Sequence, residues 1–243
     1  MSLPLLKRYV MRSPNLLVAL VLSVCSAGCA DHGAGVKSPP QHSGAPTTSK
    51  TFDLEDAPTG KTPEGFTTAL TGGGGPVEWV VLEEDKAPGG KKVLAQASKD
   101  DTDYRFPLCV YNGLSATDAV VSVKFKAVSG KVDQAAGLVA RYKDKDNYYV
   151  TRANALEDNV RLYKVENGKR KQFAGAGAKV TPGEWHTLQL SIKGGHFQVS
   201  FDGRMLFEAD DDTFKDAGNA GLWTKADSVT RFDDVRIASF DPK

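Results

Sequence analysis

Cysteine is scarce in this sequence: 243 residues hold three, Cys25, Cys29 and Cys109. Cys25 falls in an amino-terminal targeting segment and Cys29 directly follows it. Cys109, alone in the apolar run Pro107 to Tyr111, cannot close an internal disulfide, so it reads as a small core residue. The apolar run Leu16 to Val24 is too short to cross a bilayer as a helix. An excess of one charge is missing too. Without the first 28 residues, which carry Lys7, Arg8 and Arg12 and no acid, 28 basic residues face 30 acidic ones. That balance argues against a nucleic-acid ligand, which calls for a strongly basic surface. From Thr51 onward no helical period lasts longer than a turn or two. What remains is a chain 40% apolar, enough for one sizeable globular core, built from short strands.

Basic residues followed by the run Leu16 to Val24 have the form of a signal segment over residues 1–28. It ends in Ser26-Ala27-Gly28-Cys29, which resembles the bacterial lipobox at which a prolipoprotein is cut and its Cys lipidated, here Cys29, with Ser26 where Leu is usual. A cut before Cys25 places Leu22 correctly but sets Val24 where a small residue belongs; ordinary secretion with Cys29 unmodified is the plain alternative. Ala30 follows the Cys where an Asp would favour inner-membrane retention, and the resemblance therefore implies an exported protein on the periplasmic, outer-membrane or cell-surface side, held to the membrane through its lipid alone. Residues 29–50 are then the lipidated Cys and a tether rich in Pro, Ser, Gly and Thr, and the folded domain occupies 51–243.

The domain reads as all-β. In Ala119 to Ala127, Val121, Val123 and Phe125 share one face and Ser122, Lys124 and Lys126 the other; Leu188, Leu190 and Ile192 alternate in the same way with Thr187, Gln189 and Ser191. Gly194-Gly195 and Asp202-Gly203 are hairpin turns. A dozen short strands of this kind predict two packed antiparallel sheets, a jelly-roll sandwich. The last strand changes parity between Phe232 and Val235, which requires a bulge at Asp233-Asp234. Carboxylates turned inward there, Asp233 or Asp234 with Asp53 near the first strand, form a candidate structural Ca2+ site; two solvated Asp residues beside a turn are the plain alternative.

The stretch Asp133 to Gly168 is a three-strand meander with an unusual polar content. Arg141, Arg152, Asn154, Glu157, Asp158, Asn159 and Arg161 all fall within it. Ordering three Arg against a sheet costs entropy and desolvation, which points to a polar face with partners.

With the words DNYYVTRANALEDNVRLYKVENG, GEWHTL and GLWTKADS, the chain over Phe52 to Phe240 resembles bacterial concanavalin A-like sandwiches of the laminin-G-like, family-16 glycoside hydrolase-like or 3-keto-disaccharide hydrolase type. The resemblance implies a sandwich whose concave sheet binds glycans. The E-x-D-x-E or E-x-D-x-x-E triplet of retaining family-16 enzymes does not occur. The first reading is thus a non-catalytic carbohydrate-binding domain for a glycan or disaccharide. In it Tyr148, Tyr149 and Trp223 stack on sugar rings, while Arg141, Arg152, Asn154, Asn159, Arg161 and Lys225 supply polar contacts. A competing reading pairs the Arg residues with Glu157, Asp158 and Asp227 merely to fix the sheet. The enzymatic alternative, a glycoside hydrolase or lyase, draws its catalytic groups from Glu157, Asp158 and Asp227, with His186 as a further base; a laminin-G-like protein-binding module is the third. The oligomeric state is left open.

Overall fold

The structure is a computed structural model that describes residues 44–240. The expected signal segment, Cys29 and most of the expected tether lie outside the described residues. Fifteen strands and no helix occur among those described: β1 (Thr48–Phe52), β2 (Phe66–Gly72), β3 (Trp79–Glu83), β4 (Lys92–Gln96), β5 (Arg105–Ala116), β6 (Ala119–Ser129), β7 (Ala135–Asp144), β8 (Asn147–Asn154), β9 (Asn159–Glu166), β10 (Lys169–Gly177), β11 (His186–Lys193), β12 (His196–Phe201), β13 (Arg204–Asp210), β14 (Gly218–Trp223) and β15 (Val229–Ser239). They form two antiparallel sheets, as one-sided alternation with hairpin turns requires. The first runs β13-β12-β11-β6-β15-β4-β3 with β1 added to β15; the second runs β10-β9-β8-β7-β14-β5-β2. Asp202 and Gly203 both have positive φ, 47° and 76°, the backbone of a two-residue hairpin turn whose twist matches its strands.

Phe125, Leu138, Tyr149, Leu190, Phe197 and Phe232 fill the space between the sheets at 0% exposure. Burying each such side chain contributes about 1.5–3 kcal/mol. Cys109 belongs to this core, and burial pushes its thiol well above the ordinary range. A second apolar layer covers the outer face of the second sheet: Phe106, Leu108, Tyr148, Val150, Val165 and Trp223, all at 0%. Right-handed twist accumulates over this sheet until distant strands meet across that face. There the Thr71 hydroxyl of β2 donates to the Lys145 carbonyl of the β7–β8 turn. Tyr104 Oη donates to the Gly168 carbonyl at 2.9 Å and accepts from the Arg170 N–H at 2.9 Å, so the β9–β10 turn is pinned beside β5.

The expected bulge is present, with Asp234 at φ 49° and a register shift between Asp233 and Arg236. Its reason is a change of partner. β15 pairs with β6 along its length, but its other edge serves β4 at Thr230 to Phe232 and β1 at Val235 to Ser239. Asp233, between the two, turns inward at 0% exposure and accepts the Gly89 N–H at 2.8 Å.

Candidate functional site

The polar content of the meander gathers on the outer face of the second sheet, at one end of the apolar layer. Register sets Arg152 of β8 opposite Arg161 of β9, and Asn154 opposite Asn159. Two guanidinium groups facing each other repel. Glu157, in the connecting turn, answers both: its Oε2 accepts from Arg152 at 2.8 Å and lies 3.6 Å from the Arg161 guanidinium. Arg152 also donates to Asn159 Oδ1 at 2.5 Å and to the Tyr163 hydroxyl at 3.2 Å. Burial works to raise the Glu157 carboxyl, but the hydrogen bonds from Asn159 and Arg152 prevail and hold it below its usual value.

Asn154 extends this network to Asp133, donating to its Oδ1 at 2.8 Å; Lys225 approaches the other oxygen at 3.1 Å and holds Asp103 at 2.6 Å. Asp133 is 2% exposed. Burial pushes its carboxyl up, and the charges of Lys225 and Arg152 offset that only in part. For Lys225, burial alone would lower the ammonium, but the bond to Asp103 and the charge of Asp133 lift it above its ordinary value. Arg152, Asn154, Glu157, Asn159, Arg161 and Lys225 are thus joined, through Asp133, in one polar network.

The expected sugar-stacking rings do not join it. Tyr148, Tyr149 and Trp223 are all at 0% exposure and offer no free face. Trp223 stacks on Phe106 with centroids 5.2 Å apart and planes at 23°. The Arg170 guanidinium roofs this layer, 4.5 Å from the Tyr163 ring centre and 4.6 Å from that of Phe106. Tyr148 lies in the same layer, its hydroxyl 2.8 Å from that of Thr71. Tyr149 points to the opposite face, where its hydroxyl donates to Asp211 at 2.6 Å and accepts the Phe214 N–H at 3.0 Å. Gly137 explains how Trp223 lies so flat: a Cβ there would stand 3.1 Å from the indole and 2.9 Å from the Thr151 carbonyl.

Arg141 is likewise apart from the cluster. Its left-handed backbone, φ 47°, breaks the alternation of β7, and its guanidinium donates to the carbonyls of Thr117, Phe214 and Gly194 at 2.5–3.0 Å. It ties loops together. The three carboxylates expected to catalyse have separate partners. Asp158 accepts from Lys179 at 2.9 Å and the Val180 N–H at 3.1 Å, while Asp227 accepts the N–H groups of Lys131, Val132 and Asp133 at 2.6, 3.1 and 3.0 Å. Lys179 and the Val180 amide lower Asp158; burial opposes the three amides at Asp227, yet the amides win. His186 is a buried fastener, its Nδ1 2.8 Å from Asp202 and its Nε2 accepting the Thr181 N–H at 3.0 Å.

Asp234 and Asp53 do not form a metal cage. Lys124 occupies Asp234 at 2.7 Å, and Asp53 accepts the Glu55 N–H at 3.3 Å. Among the described residues no group of three or more His, Cys, Asp or Glu side chains is placed to hold an ion.

Sequence reasoning misses three residues of this face: Tyr104, Asp133 and Arg170. For Arg170 the signal is the Asn167-Gly168 pair, whose φ values of 50° and 74° make the turn that starts β10.

Among solved structures, the carbohydrate binding module CBM66 from Bacillus subtilis is similar at 24% identity and a TM-score of 0.55, over 72% of this chain and 96% of that one. A Bacillus subtilis protein of unknown function with a galectin-like fold matches at 12% identity and a TM-score of 0.47, over 71% and 89%. The galectin LEC-6 of Caenorhabditis elegans matches at 13% and 0.36, over 52% and 84%. No curated protein matches the chain. The family described as the galactocerebrosidase C-terminal lectin domain matches residues 110–240, more than half of the chain, and it is to this lectin-domain family that the protein belongs.

Proposed function

We propose that this protein is an exported lipoprotein whose sandwich binds carbohydrate without cleaving it. The observation that carries the reading is the set of polar side chains brought to the outer face of the second sheet in a lectin-family fold: Arg161, Asn159, Glu157 and Lys225 present donors and acceptors at the rim, backed by Arg152, Asn154 and Asp133. Fixed, mutually oriented polar groups of this kind recognise hydroxyls at low entropic cost.

The same network speaks for binding rather than catalysis. A retaining glycosidase needs an acid with a raised pKa opposite a free nucleophile. Glu157, Asp158 and Asp227 are all lowered, and each serves a different partner. Asp133 is raised, but both of its oxygens are taken, by Asn154 and Lys225, and it is sealed from solvent. The likeness to 3-keto-disaccharide hydrolase-type sandwiches is then kinship without the activity. Export and lipidation rest on Leu16 to Val24 and on Cys29.

The test uses the purified full chain on a glycan array and in a reducing-sugar assay. Glycan binding without sugar release is expected. Sugar release that Glu157→Gln abolishes would replace this reading by the hydrolase one, and capture of envelope proteins with no glycan bound would replace it by a laminin-G-like module. Labelling with a fatty acid that disappears in Cys29→Ala tests the anchor.

A further inference from the structure

Tyr104 is the one exposed aromatic residue among those described, at 45% exposure. Its ring is not free to turn. Oη is fixed at both the Gly168 carbonyl and the Arg170 N–H, each at 2.9 Å, and the ring meets Phe106 edge-on at 4.7 Å and 64°. An aromatic face held in place loses little entropy when a ligand stacks on it.

Its chain neighbour supplies the polar half of a subsite. Asp103, with a side chain 77% exposed, lies 2.6 Å from Lys225 Nζ, which is anchored from behind by Asp133 at 3.1 Å. A carboxylate acceptor and an ammonium donor therefore stand side by side, the carboxylate on the residue that precedes Tyr104 in the chain. That arrangement matches two adjacent hydroxyls, one donating to Asp103 and one accepting from Lys225, with both bonds charge-assisted.

We propose that Tyr104, Asp103 and Lys225 form the primary sugar subsite and that it takes a neutral pyranose with vicinal hydroxyls. The inference rests on the carbohydrate-binding reading and gives that reading its contact residues. Neutrality follows from the charges: Lys225 is already balanced by Asp103 and Asp133, and the exposed Asp103 carboxylate repels an acidic sugar. Tyr104 replaces the buried Trp223 and Tyr148 as the stacking ring.

The test measures affinity of the full chain, and of Tyr104→Phe, Tyr104→Ala and Asp103→Asn, for the best glycan on an array carrying neutral and uronate sugars. Tyr104→Phe should bind within about threefold of wild type, and Tyr104→Ala should lose roughly tenfold or more. Asp103→Asn should weaken binding with its melting temperature unchanged. Melting curves identify any unlatching of the β9–β10 turn. Wild-type affinity in Tyr104→Ala, equal losses in the Phe and Ala variants, or a preference for uronates would each overturn the subsite while leaving carbohydrate binding intact. No glycan bound by wild type would overturn both.

Discussion

Lys225, just past the end of β14, reaches the buried carboxylate of Asp133 at 3.1 Å and is the cation that permits its burial. A buried ion pair contributes little net stability, but removing one partner leaves a charge without solvent or counter-ion. Lys225→Met should therefore cost about 3 kcal/mol in urea unfolding at neutral pH. Replacing both residues, Asp133→Asn with Lys225→Met, should recover at least half of that loss, because no unpaired charge is left. A double variant less stable than Lys225→Met alone would refute this role.

Arg141 gives a second expectation, which separates stability from binding. Its guanidinium satisfies the carbonyls of Thr117, Phe214 and Gly194 from one left-handed position, and a lysine ammonium cannot span all three. Arg141→Lys should lower stability by roughly 2 kcal/mol through the carbonyls left unpaired. Glycan affinity should stay at the wild-type level, since the side chain belongs to the loops and not to the rim. Affinity that falls with unchanged melting would assign Arg141 to the ligand.

Gly137 is the position where the apolar outer layer is most sensitive. Gly137→Ala would drive a methyl into the Trp223 ring and the Thr151 carbonyl. Overpacking of this sort costs about 1–3 kcal/mol. Tryptophan fluorescence should shift to the red as Trp223 is displaced. An unchanged emission maximum with native stability would mean that the layer has room to spare.

The two-layered nature of the second sheet also explains which features are legible in the sequence. Strands such as Ala119 to Ala127 bury one face, so their alternation gives the first sheet directly. In Gly137 to Ala140 and Tyr148 to Val150 apolar residues run continuously because both faces are covered, and periodicity cannot tell which ring points where. Tyr148 and Tyr149 are adjacent and equally buried, yet one faces the inner core and the other the outer layer. The polar cluster is legible because its members alternate on β8 and β9. Lys225 is legible as well, but Asp133 and Arg170, which complete the face, come from two other places in the chain, joined only by the coiling of the sheet.

Asp227 carries the pH dependence. Its carboxylate accepts three successive N–H groups from Lys131 to Asp133, and these lower it below its usual value of 3.8 against the opposing effect of burial. A depressed folded pKa means that the contribution is complete above the unfolded value and is lost as pH falls through the folded one. In Asp227→Asn the amide keeps one acceptor and turns an NH2 toward the same donors. The variant should lose about 2 kcal/mol at pH 7, and the gap to wild type should narrow as pH falls below 3.8, where the unfolded chain takes up its proton while the native carboxylate still holds its charge. Asp133 has the opposite sign, because its raised carboxyl favours folding on the acid side, so Asp133→Asn should lessen the stability lost between acid and neutral pH. Urea midpoints measured from pH 2.5 to pH 7 distinguish the two. A constant offset between Asp227→Asn and wild type across that range would show that the three amides are not bound to a charge.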